Sequence, residues 1–132
     1  MAIIEGAKSR GVAKFSYDFA IQGGTAGVIY LNGDPLPDNC IVWDGCIDVY
    51  DPIVGAGATM ALTTGQAAND LSTAAAVAGA PWSTASITAI VPVGTIASCI
   101  KLTAVRRPQL LVTAAALTAG KLNVFIQYFL SD

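Results

Sequence analysis

The chain is 132 residues long, near the usual size of a single domain. It is 54% hydrophobic and only 12% charged, with a formal net charge of −2. Soluble domains carry about 25% charged residues, so part of this exterior is apolar and is expected to meet another protein. Histidine is absent. That removes the commonest general base, nucleophile activator and metal ligand, and excludes Ser-His-Asp and Cys-His sites within this chain.

The few charges are unevenly placed. Lys8, Arg10 and Lys14 open the chain, and Lys101, Arg106, Arg107 and Lys121 lie near its end. Between Phe15 and Ile100 stand seven aspartates and no base. Such a split matches a basic end of one subunit to an acidic face of a neighbour. Residues 1–11 have no sustained periodicity and read as an N-terminal arm, leaving 12–132 as one domain.

From Val12 the pattern becomes period-two: Ala13, Phe15, Tyr17, Phe19 and Ile21 alternate with Lys14, Ser16, Asp18 and Ala20, predicting a strand with one buried face. Gly23 and Gly24 end it. Residues 25–31 are β-branched and aromatic, a second strand, closed by the turn chemistry of Asn32-Gly33-Asp34-Pro35. Residues 39–50 predict a third strand or a broken pair, with Gly45 at the position suited to a bulge. Residues 58–62 predict a short strand. The alanine-rich stretch 66–80 fits either a short helix capped by Asn69 or Asp70, or a loop.

Further strands are expected at 86–91, 95–104, 109–115 and 121–130. In the last, Leu122, Val124, Ile126, Tyr128 and Leu130 share one face, while Phe125 and Phe129 occupy the other. Two apolar faces predict burial on both sides or contact with a neighbouring subunit. Residues 71–100 carry no charge, yet Gly79, Pro81, Pro92 and Gly94 interrupt them, so no membrane-spanning helix is expected. Nor do an apolar stretch and cleavage site of the secretory kind follow the basic N-terminus. Short strands punctuated by Gly, Pro and Asn predict an all-β antiparallel sandwich with at most one short helix.

Asp44 with Asp48, or Asp34 with Asp38, are the candidate acid–base pairs, and the same aspartates are the candidate calcium ligands. They lack both a sugar-stacking cleft and a twelve-residue calcium loop, and turn aspartates are the expected reading. Cys40, Cys46 and Cys99, odd in number with apolar neighbours, read as reduced thiols. No enzyme activity, cofactor or metal is expected. The Arg106-Arg107-Pro108 patch is too small for nucleic acid and is a candidate surface contact. Trp82, after Pro81 in a loop-like region, is another, with the core as the default for both Trp82 and Trp43.

Three segments carry a family resemblance: Ala58-Thr59-Met60-Ala61-Leu62-Thr63-Thr64-Gly65 with Asn69-Asp70-Leu71; Ile90-Val91-Pro92-Val93-Gly94-Thr95; and Leu110-Leu111-Val112-Thr113, continued by Ala119-Gly120-Lys121-Leu122-Asn123-Val124-Phe125-Ile126-Gln127-Tyr128. In this order they resemble head decoration, or cement, proteins of tailed bacteriophages. The resemblance implies a jelly-roll-like sandwich, a homotrimer, the major capsid protein as partner, and a place on the virion surface after assembly in the host cytoplasm. Under this reading Lys8, Arg10 and Lys14 form the docking arm, and Leu122, Val124, Phe125, Tyr128 and Phe129 form the subunit core or oligomer seam. Neither nucleic acid nor membrane is a partner. The alternatives are a carbohydrate-binding module using Trp82 or Trp43 with loop aspartates, and a tail, fibre or connector component.

Overall fold

The computed structural model describes residues 10–67, 70–90 and 99–131. Among them are strands β1 (Arg10–Asp18), β2 (Gly27–Tyr30), β3 (Cys40–Val54), β4 (Thr59–Thr63), β5 (Ala75–Ala76), β6 (Ser86–Ala89), β7 (Ile100–Lys101), β8 (Gln109–Thr113) and β9 (Ala119–Leu130), with one helical turn, α1 (Phe19–Gln22). They form two antiparallel sheets. One runs β1-β9-β3-β6 with β7 also paired to β3; the other runs β2-β8-β4-β5. The pairings are nested in sequence: β1 with β9, β2 with β8, β3 with β6 and β4 with β5. Successive pairs alternate between the sheets, as in a long hairpin rolled over itself.

Side-chain alternation explains why the sheets face each other. Phe15 and Tyr17 of β1, Leu122, Val124 and Ile126 of β9, and Ile47 and Val49 of β3 all point inward. Met60 and Leu62 of β4 and Leu110 and Val112 of β8 meet them in one core. Antiparallel sheets of this kind bury one face and leave the other free.

Boundaries shift where side chains compete with the ladder. The first strand was expected to reach Ile21, but it ends at Asp18, whose carboxylate accepts from the Ala20 amide at 2.9 Å and caps α1. Ile21 therefore lies exposed instead of in a strand. At the other end β1 already includes Arg10 and Gly11, paired with Phe129 and Tyr128. The third strand is a single continuous element, four residues longer than the pattern suggested at its C-terminal end. Its register slips between Val42 and Asp44, beside the glycine singled out for a bulge. A β-carbon on Gly45 would collide with the Phe125 carbonyl oxygen of β9, so close backbone approach requires glycine there.

The described part of 66–80 contains no helix; it holds turns and β5. Side-chain bonds to backbone displace helix there. Asp70, buried, accepts from the Thr64 amide at 2.7 Å and from the Thr64 hydroxyl. The Thr63 hydroxyl donates to the Ala67 carbonyl at 2.6 Å, and the Leu62 amide donates to Ser72 Oγ at 2.9 Å. Of the strand expected over 95–104, only Ile100 and Lys101 form one among the described residues. No helix among those residues is long and apolar enough to cross a membrane.

Candidate interaction face

The solvent side of the five-stranded sheet gathers most of the residues singled out in the sequence. The odd-numbered positions of β9 point outward, with Phe125 half-buried and Phe129 39% exposed. From β1 come Arg10, Val12 and Lys14, all exposed. The bulge in β3 adds one unpaired residue, so Trp43 and Asp44 follow each other on the outer side, and Cys46, Asp48 and Tyr50 continue it. Ile87 of β6, 74% exposed, stands opposite Asp48.

Two ring contacts hold this surface in shape. Trp43 stacks on Phe129 with centroids 5.5 Å apart and planes 17° from parallel; such pairs contribute about 0.5–1.5 kcal/mol beyond area burial. Lys14 Nζ lies 5.8 Å from the Phe125 ring centroid, a cation–π geometry. The result is an apolar strip with bases on the β1 side and acids on the β3 side. Lys121 pairs with Asp18 at 3.9 Å at its far end, both partly exposed, an arrangement of little net worth.

The other expected site residues are distributed as follows. Lys8 lies outside the described residues. Leu122 and Val124 are wholly buried and belong to the subunit core, and Tyr128 packs partly against it. Trp82, a candidate surface contact with the core as its default, is corrected to core: it has no exposed area. Its backbone explains why, because the Ile53 amide donates to the Trp82 carbonyl at 2.9 Å and ties the loop across the sandwich end. Arg106 is also tied down. Its backbone bridges Leu36 and its Nη1 donates to the Gly65 carbonyl at 3.4 Å, while Arg107 remains exposed.

The sequence left Trp43 as a core residue by default, and missed Val12 and Ile87 as surface-forming residues. Alternation from the buried Val42 already turns Trp43 outward, and the bulge changes which side chains face out only beyond it.

Two of the candidate aspartates hold local turns. Asp38 Oδ1 accepts from the Asn39 amide and Asp44 Oδ1 from the Gly45 amide, each at 2.8 Å. Among the described residues no group of three or more Cys, Asp or Glu side chains is placed to hold a metal. The cysteines are free: Cys40 buried, Cys46 half-buried, Cys99 exposed.

Burial pushes the Cys40 thiol from 9.0 up to about 11. Tyr17, whose hydroxyl donates to the Gly23 carbonyl at 2.7 Å, rises from 10.0 to about 12, through burial first and the Asp18 charge second. Both groups hold protons more tightly folded than unfolded, so their stabilisation is complete below pH 9 and declines as pH climbs from 9 towards 12. Denaturant titrations across that range should show a falling unfolding free energy. A flat profile would contradict the burial of these two groups.

The same fold occurs in three phage capsid structures. It matches a chain of the Cyanophage Pam1 capsid asymmetric unit at 20% identity and TM-score 0.62, covering 92% of this chain and 84% of that one. A chain of the acidic stable capsid structure of Helicobacter pylori bacteriophage KHP30 matches at 15% identity and TM-score 0.63, covering 94% and 90%. A chain of the capsid of Ralstonia phage GP4 matches at 18% identity and TM-score 0.61, covering 92% and 86%. At these identities the likeness is one of fold. No family model matches the sequence, and no curated protein does.

Proposed function

We propose that this chain is a non-enzymatic structural protein of a tailed-phage virion, decorating the capsid surface as an oligomeric clamp bound to the lattice of the major capsid protein. One observation carries the reading: chains in three separate phage capsid structures share this fold over 84–90% of their own length. The nested strand pairing, read as a jelly roll, agrees with it. So does a surface that places apolar side chains, Arg10 and Lys14 on one open sheet face.

The physics of the clamp is avidity. An oligomer that grips several capsid subunits makes each later contact intramolecular, so weak patches add up to tight retention. A homotrimer is the state the resemblance implies. The free thiols suit assembly in a reducing host cytoplasm. Burial of Trp82 deprives the carbohydrate-binding reading of one of its two tryptophans.

The experiment is to mix the purified protein with expanded, undecorated heads and image them by electron cryomicroscopy. Extra density repeated at lattice points across the head is expected. Bare heads would overturn the proposal, and density restricted to a tail or a single vertex would favour a tail or connector component.

A further inference from the structure

The outer sheet face has an internal order that a generic sticky surface lacks. Its columns run β1, β9, β3. The first carries Arg10 and Lys14, the middle Phe129 and Phe125 with Gln127 between them, and the third Asp44 and Asp48. Each charged pair is separated by four residues, roughly 13 Å along a strand, and the basic and acidic columns lie roughly 10 Å apart across two strand spacings. That is too far for direct pairing within one copy. Among the described residues neither Arg10 nor Lys14 forms a salt bridge. The register is staggered as well. Lys14 shares a row with Phe125 and Cys46, which puts its height between Asp44 and Asp48.

We infer that this face is self-complementary and joins two copies of the chain about a two-fold axis lying parallel to the strands over β9. Rotation about that axis keeps every residue's height along the strands and exchanges the outer columns, so β1 of each copy lies over β3 of the other. Lys14 then sits above Cys46 of its partner copy, flanked by that copy's Asp44 and Asp48. The contact occurs twice, as an isologous interface requires. Phe125 and Phe129 meet their own counterparts along the axis, burying the apolar strip that one copy leaves open. A second copy is the occupant these columns fit, because over the rows from Arg10 to Ser16 base and acid are matched within the same face, while the Asp18–Lys121–Asp51 row lies at the far end of the strands, where Lys121 already pairs with Asp18. The inference goes beyond the proposed function: it gives Arg10, Lys14, Phe125 and Phe129 to a two-fold contact between copies, so capsid docking and any threefold seam fall to other surfaces.

The test is native mass measurement of the full chain. Wild-type protein should contain an even number of copies: two, or six where a threefold seam also forms. Lys14→Glu and Asp48→Lys, each verified as folded by circular dichroism, should each weaken pairing by about tenfold or more, because like charges then oppose one another twice. Mixing the two variants should restore a pair containing one copy of each, since every reversed contact is then matched. A ring of three cannot alternate two variants and would not give that product.

A monomeric or three-copy wild type, unchanged association in both variants, or no rescue on mixing would each overturn the inference. So would a full chain that pairs only after residues 1–9 are removed, which would make its own N-terminal segment the occupant of the face. Head binding is scored separately. Three-copy assemblies that still decorate heads would sink the pair and leave the proposed function standing; pairs that ignore heads would do the reverse.

Discussion

Trp82→Ala should lower the unfolding free energy by about 3–5 kcal/mol, the range for emptying a fully buried aromatic site. A domain of this size has about 5–15 kcal/mol to lose, so the variant should be partly unfolded at moderate temperature. The physical basis is volume. The indole is fully buried in the core shared by both sheets. Its loop is held by the Trp82 amide donating to the Gly79 carbonyl at 3.1 Å and by the Ile53 amide bonding to the Trp82 carbonyl. The backbone therefore stays in place when the ring is removed, and the cavity cannot collapse easily. Guanidinium titration measures the loss, and Trp82→Phe should cost clearly less because it keeps most of the volume. The opposite pattern, unchanged stability with weakened association, would return Trp82 to the exterior.

Asp70→Ala should cost about 2–4 kcal/mol, since it strips partners from two donors at once and each buried group left unpaired costs about 1–3 kcal/mol. The carboxylate is buried and accepts from both the amide and the hydroxyl of Thr64. That hydroxyl accepts in turn from the Gln66 amide at 3.2 Å, and Gln66 bonds across to the Lys101 carbonyl and the Thr103 amide. Removing Asp70 loosens the turn after β4 and its link to the segment following β7. Asp70→Asn should retain about half of the stabilisation, because its amide keeps one acceptor oxygen for Thr64. Hydrogen exchange at the Thr64 amide, read beside the global denaturation curve, would separate a local opening from whole-domain loss. Equal stability of the Ala variant and wild type would refute the arrangement.

Much of the local structure was legible in the residues. Alternation in β9 revealed two apolar faces, and the structure assigns one to the core and the other to the open side of the sheet. Gly45 marked the irregularity in β3, where its missing side chain lets the Phe125 carbonyl approach. Where local signals conflicted, reading failed. Phe19 and Ile21 continue the period-two pattern of β1, but Asp18 caps a helical turn and ends the strand. Pro81-Trp82 looks like a loop tip; burial of the ring depends on Ile53, twenty-nine positions earlier, which no local pattern encodes.

The candidate face shows the division most clearly. Composition alone determined that some exterior would be apolar, because too few charged residues exist to cover a domain of this length. Pattern determined that the chain is built of strands and which side chains of β1 and β9 share a face. Only the tertiary structure decided which strands are neighbours, since β1 and β9 lie at opposite ends of the chain and their pairing is a long-range contact. It also decided that Trp43 stacks on Phe129 and that Asp44 and Asp48 stand opposite Gln127 and Asn123, one row to either side of Phe125. Strand periodicity is two, so the single residue inserted at the bulge reverses the facing of everything after it. That slip in register brings the acids of β3 onto the same open surface as the bases of β1.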